Sequence, residues 1–172
     1  MKRALITTLG VVLAFAGLAL AQGNPRGTAK LTLKGATVSV EYGRPSLKGR
    51  SVNDLLGQLG AGEFWRLGAD KSTTFSTSKD LQFGDVTVPM GEYSLWAQKQ
   101  SDNSWKLVFN KEHGKWGTQH DASQDLYSAP LKGESAKKPA EMVTITLEEE
   151  KGAGELSIQW GNMELSADFK TK

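Results

Sequence analysis

Cysteine is missing altogether from this 172-residue chain, and histidine occurs only twice. The missing thiol excludes disulfide cross-links, a Cys–His nucleophile and attachment to lipid through an N-terminal cysteine. Stability therefore has to come from a hydrophobic core, and a single domain of roughly 100–150 residues is long enough to bury one. The chain also lacks a charge of one sign, since 21 Lys and Arg stand against 19 Asp and Glu. No Gly-x-Ser-x-Gly elbow is present, which removes a common serine-hydrolase signature.

What is present begins at the N-terminus. Met1-Lys2-Arg3 is basic, residues 4–20 are nearly all apolar, and Ala19-Leu20-Ala21 is a small-x-small site. That order reads as a secretory signal peptide over residues 1–21. A retained anchor is the alternative, because a spanning helix takes roughly 17–25 apolar residues. The polar Gln22-Gly23-Asn24-Pro25 that follows favours cleavage. The expectation is an exported protein, residues 22–172, periplasmic or extracellular and not stably inserted in a membrane. Loss of Lys2 and Arg3 takes the 21 basic residues to 19, equal to the acidic ones. A neutral domain gives no electrostatic case for nucleic acid or an anionic membrane as partner. Lys137-Lys138 and Glu148-Glu149-Glu150 read as solvated loop or strand ends.

Beyond residue 22 the apolar pattern has period two. Val38, Val40 and Tyr42 alternate with polar residues, as do Trp105, Leu107 and Phe109. The same alternation joins Val143, Ile145 and Leu147, then Leu156, Ile158 and Trp160, then Met163, Leu165, Ala167 and Phe169. Successive side chains on a strand point to opposite faces, so this marks half-buried strands. Pro89-Met90-Gly91, residues 101–104 and Lys151-Gly152-Ala153-Gly154 read as turns. Gly161-Asn162 reads as a tight II′ hairpin, and residues 133–139 as a flexible loop. Ser51, with Asp54 three residues on, approximates a capping box. It opens a short helix carrying Val52, Leu55, Leu56 and Leu59, which Gly60 ends. The pattern predicts one all-β domain over residues 22–172. It is an antiparallel, jelly-roll-like β-sandwich of about nine to eleven strands with one short helix.

Three blocks are more specific. The first is Val40-Glu41-Tyr42-Gly43-Arg44-Pro45-Ser46-Leu47-Lys48-Gly49-Arg50. The second runs Phe64-Trp65-Arg66-Leu67-Gly68-Ala69-Asp70, and the third is Pro89-Met90-Gly91-Glu92-Tyr93-Ser94-Leu95-Trp96. With Trp105–Asn110 and Trp116-Gly117 after them, their order and spacing resemble the secreted bacterial domain-of-unknown-function family DUF2911. The resemblance covers roughly residues 29–169. It implies the domain type and no activity.

The chemistry-bearing residues leave alternatives open. Arg44, Lys48 and Arg50 sit in a Gly/Pro loop that can present cations and backbone N–H groups to an anion. It is not a phosphate-binding P-loop, because Gly43 and Gly49 are six positions apart and Arg50 stands where Lys is required. The alternative is a rigid loop whose arginines pair with Glu41 or Asp54. If Phe64–Leu67 is a strand, Trp65 and Arg66 face opposite sides of it. Arg66 is then either a ligand-binding arginine beside an aromatic platform or half of an ion pair with Asp70 or Glu41. His113 and His120 read as solvated loop residues, their spacing fitting no metal site. Trp105 and Trp160 read as core. Trp96 and Trp116 are candidates for an exposed stacking surface.

The reading is a non-enzymatic binding domain for a glycan or cell-envelope ligand, with no cofactor or metal. Its candidate patch is Arg44, Trp65, Arg66, Asp70 and Trp116. A hydrolase using two facing carboxylates, drawn from Glu41, Glu63, Asp70 and Glu92, is the rival. A structural protein-interaction domain is the third reading.

Overall fold

The computed structural model describes residues 23–172, so the signal-peptide reading lies outside the described residues. The edge strand β1 (Arg26–Leu33) and its neighbour β2 (Ala36–Gly43) pair in register across a two-residue turn at Lys34-Gly35. A short helix, α1 (Val52–Leu56), and a two-residue strand, β3 (Phe64–Trp65), follow. Then come β4 (Thr74–Thr77), β5 (Leu81–Phe83), β6 (Val86–Val88), β7 (Gly91–Lys99) and β8 (Trp105–Asn110). Two long strands, β9 (Asp125–Glu150) and β10 (Ala153–Thr171), complete the chain.

All pairings are antiparallel, in the order β1-β2-β4-β7-β8-β9-β10-β5-β6, with β3 joined to β7. The expected antiparallel, sandwich-like architecture is what the residues form. The long strands make the second layer. Residues 125–131 of β9 extend the first sheet beside β8, and the rest of β9 pairs with β10. Inward residues of both layers meet in one core. Its centre is a chain of Phe75, Phe83, Phe109 and Phe169, with ring centroids 5.2 to 6.3 Å apart.

Three local expectations are corrected. Gly161 does not turn the chain; β10 runs through it with a register shift on either side, so it is a bulge. Its φ of +58° is the left-handed value that a hairpin glycine and a bulge glycine share, which is why composition alone does not separate them. Residues 133–139 are not a loop but part of β9, exposed at every position but the half-buried Ala136 and paired to β10 around Met163. The helix ends at Leu56 rather than Gly60. Ser51 caps it by accepting from the Asn53 amide, and Gly57 closes it by donating to the Asn53 carbonyl. Leu55 and Leu59 still pack on the core from the helix and the turn after it. The bulge seats this helix, since a β-carbon on Gly161 would stand 3.1–3.3 Å from Val52 and Leu47.

Two contacts lock the Arg-Pro and Trp-Arg blocks into the fold. The backbone at Gly43 crosses that at Gly68-Ala69 so closely that a β-carbon on Gly43 would lie 2.0 Å from the Ala69 carbonyl oxygen. The residues that follow Gly43 then clasp the free edge of β9. Tyr42 Oη accepts from the Ile145 amide at 2.9 Å and donates to its carbonyl at 3.2 Å. Arg44 Nε donates to the Val143 carbonyl at 3.1 Å. The Val143 amide donates to Pro45, and the Leu47 amide to Glu141. Every polar group on that stretch of edge finds a partner in the first layer, as a buried strand edge requires.

The crossing makes Gly43 the least replaceable position in the first block. Gly43→Ala forces a methyl into backbone that has no rotamer to yield, and is expected to cost at least about 2 kcal/mol. Gly60→Ala, where only the Glu63 side chain comes near a β-carbon, at 3.7 Å, is expected to stay within about 0.5 kcal/mol of wild type. Urea denaturation of both variants measures the difference; equal midpoints contradict the crossing.

Candidate functional site

The strand β3 ends at Trp65, and the chain turns back through residues 66–73 into β4. The turn is unusually constrained. Leu67 is fully buried with φ +55°, and Asp70 has φ +63°. Non-glycine residues hold such angles only where their surroundings over-determine them. Here Thr73 Oγ1 donates to the Arg66 and Leu67 carbonyls. The segment between β8 and β9 straps down from outside. The Gly117 amide donates to the Asp70 carbonyl at 2.7 Å, the Ser72 amide to Lys115, and Lys71 bridges Trp116.

The far end of that strap is pinned by His120. Its imidazole lies between the rings of Phe64 and Trp96, with centroids 4.1 and 4.5 Å away, and its Nε2 is 2.9 Å from Asp125 Oδ1. The same oxygen accepts from Asn110 Nδ2. Asp121, next in sequence, caps the 3-10 turn Ala122–Gln124; the Ser123 hydroxyl and amide hold its carboxyl below the ordinary aspartate value. His120 is therefore a packed, hydrogen-bonded residue and not the solvated loop histidine expected. His113 is the exposed one, 3.8 Å from Glu92. Trp96 does face away from Tyr93 and Leu95, yet it is 5% exposed because the strap covers it. Trp105 is half-buried against the core rather than within it, while Trp160 is buried as expected.

Between strap, turn and helix lies a cavity of about 590 Å³. Trp65 and Trp160 stack in its wall, centroids 5.8 Å apart and planes 11° apart. Phe64, Trp96 and His120 form another side, and Leu55, Leu56 and Leu59 a third. Arg50 and Arg66 are the cations of the wall, and it contains no Asp or Glu. Arg66 makes no ion pair or side-chain hydrogen bond among the described residues. Its stem lies over Gly117, where a β-carbon would stand 3.1 Å from Arg66 Cδ.

Of the five patch residues, the fold places two in the cavity wall. Trp65 and Arg66 line the cavity. Trp116, 53% exposed, precedes the wall residue Gly117 in the strap but does not itself line the cavity. Asp70 anchors the strap by its carbonyl but turns its carboxylate to the Asn24 amide at 2.8 Å. The expected Arg66–Asp70 ion pair does not form, because that carboxylate is already occupied by the N-terminal segment. Arg44 lies elsewhere, clasping β9. The arginines of its loop pair with carbonyls and not with Glu41 or Asp54: Arg44 with Val143, Arg50 with Leu47 and Ser46. The loop does hold an anion, and the anion is internal. Glu141 Oε1 accepts from the Ser46 hydroxyl and the Lys48 amide.

Arg50, Trp96, His120 and Trp160 are cavity residues absent from the sequence-derived patch. Trp96 was legible as an outward-facing tryptophan; the strap that buries it carries no periodic signal. The candidate acids disperse. Glu63 caps the Gly60 amide and Asp70 binds Asn24. Glu41 and Glu92 line a separate polar hollow of about 270 Å³ with His113.

The family model described as "Protein of unknown function (DUF2911)" matches residues 24–169. The chain belongs to the DUF2911 family. No curated protein and no solved structure matches it. The DUF2911 match spans the crossing, the strap and the whole cavity wall, so the proposed site lies within the family domain.

The Glu141 contacts make acid stability a readout of the Arg-Pro loop. The Ser46 hydroxyl, then the Lys48 amide, lower the Glu141 carboxyl below its ordinary value. A carboxyl depressed in the folded state stabilises fully above its unfolded pKa, and the contribution is lost as pH falls through the folded value. Glu141→Gln is expected to melt below wild type at neutral pH, with the gap closing on acidification through the carboxylate range. Melting curves that stay parallel at every pH contradict this.

Proposed function

We propose that this DUF2911 protein is a non-enzymatic binding domain whose ligand is a glycan or related cell-envelope component, held in the aromatic cavity. The observation that carries the reading is the wall itself. Trp65, Trp160 and Trp96 contribute to the apolar part of the lining of a concavity within the roughly 300–1,000 Å³ range of ligand sites. Sugar rings stack on such surfaces, and the cations and N–H groups at the edges supply orientation. The carboxylate-free wall supports binding over glycosidase chemistry, which needs two acids about 5–9.5 Å apart across the substrate. Glu41 and Glu92 in the separate hollow are where the hydrolase reading has its remaining support.

Export belongs to the same proposal and rests on the basic start, apolar run and Ala19-Leu20-Ala21 site.

A screen of glycans and cell-wall fragments against the purified protein tests the reading. Retention of at least one saccharide is expected, weakened about tenfold or more by Arg66→Ala and by Trp116→Ala, and unchanged in the products recovered after incubation. Binding that neither variant alters overturns the site, and turnover abolished by Glu92→Gln establishes the hydrolase instead.

A further inference from the structure

The wall of the cavity is electrostatically one-sided. Arg50 and Arg66 both line it, no carboxylate does, and neither arginine belongs to any ion pair among the described residues. The two differ in how they are held. Arg50 is fixed by its own loop, with Nε on the Leu47 carbonyl at 2.9 Å and Nη2 on the Ser46 carbonyl at 3.2 Å, which leaves Nη1 unpartnered. Arg66 is half-buried, laid across Gly117, and aimed by a turn that keeps Leu67 at a left-handed angle. A partly desolvated guanidinium without a counter-ion is costly to keep. The two nearest acids in sequence are both committed elsewhere: Glu63, three residues back, accepts from the Gly60 amide, and Asp70, four residues on, from the Asn24 amide.

The wall also contains an unsatisfied donor. Among the described residues, the one buried side-chain nitrogen or oxygen with no hydrogen-bond partner is Trp160 Nε1. Trp160 is 7% exposed and belongs to the cavity wall. Trp96 in the same wall is satisfied by Ser94 Oγ at 2.9 Å, so an orphan indole is not a general feature of the site. An unmet buried donor marks a place where an acceptor is missing. The unmet cations of the wall are its two arginines, set among aromatic rings, while Trp160 Nε1 is closed off from solvent.

We infer that the saccharide bound here is an acidic one, carrying a carboxylate that Arg66 receives with Arg50 at the far side. The inference rests on the binding reading above and narrows it to a ligand class. A planar guanidinium matches a carboxylate in a two-point contact that a neutral hydroxyl does not reproduce. The sugar ring carrying that carboxylate lies against the Trp65–Trp160 pair, and Thr118 contributes a hydroxyl at the mouth.

The test compares a glucuronate-containing disaccharide with its neutral glucose counterpart, by calorimetry on the purified protein. The acidic sugar is expected to bind about tenfold or more tightly than the neutral one, the scale of one charge-assisted contact. That preference should shrink as salt is raised. In Arg66→Gln the preference is expected to fall to within about twofold. Arg66→Lys restores the charge but only part of the preference, because the two-point geometry is lost. Unchanged unfolding temperatures in these variants separate the effect from misfolding, and Arg50→Gln supplies an independent loss of charge on an exposed side chain. Equal binding of both sugars overturns the acidic ligand while leaving glycan binding intact. Binding of neither sugar overturns it as well, and the glycan screen then decides whether the broader reading survives. An acidic preference untouched by Arg66→Gln and Arg50→Gln overturns the assignment to this cavity.

Discussion

The close crossing of backbone at Gly43 and Gly68-Ala69 is the constraint on which the rest of the molecule depends. It is possible only without side chains at the crossing, since a β-carbon on Gly43 would stand 2.0 Å from the Ala69 carbonyl oxygen and one on Gly68 2.9 Å from the Gly43 carbonyl oxygen. On one side of it the chain continues into Arg44, Pro45 and Leu47, which cover the free edge of β9 and join the two layers. On the other it continues into the strained turn whose Asp70 carbonyl receives the strap at Gly117. One steric fact thus couples closure of the sandwich to construction of the cavity.

That coupling explains why the most distinctive residues of the chain divide into two roles. Tyr42, Arg44 and Glu141 are spent inside the protein: a hydroxyl on a strand edge, a guanidinium on a carbonyl, a carboxylate on a loop amide. Trp65, Arg66 and Trp160 are not. All three line a concavity, and the Arg66 guanidinium and the buried Trp160 N–H have no partner among the described residues. Core polar groups are normally satisfied, so the imbalance is concentrated where a ligand is expected.

The fold was largely legible because a strand's two-residue period is written directly into its side chains. Val38-x-Val40-x-Tyr42 and Leu156-x-Ile158-x-Trp160 lie in β2 and β10 with those residues inward. Legibility failed where one residue type serves two geometries. Gly161 has the left-handed angle of a turn but sits in a bulge, and the Lys, Ser and Gly of residues 133–139 look like loop while lying along an exposed strand. The site was half legible. Trp65 and Arg66 stood out as neighbours expected on opposite faces, yet β3 ends at Trp65 and the turn brings both into one wall. Arg50, His120 and Trp160 reach the same cavity from a loop, a strap and a bulge that only tertiary contact brings together. The Arg66–Asp70 spacing suggested a pair that the N-terminal segment pre-empts.

Native-state hydrogen exchange tests the coupling most directly. The amides of Leu47 and Val143 hold the clasp on one side of the crossing, and the Gly117 amide holds the strap on the other. If the crossing unites them, all three exchange with the free energy of global unfolding and respond together to low denaturant, as members of one cooperative unit. Gly117 exchanging through a separate, low-energy opening while Leu47 and Val143 stay protected would contradict the account.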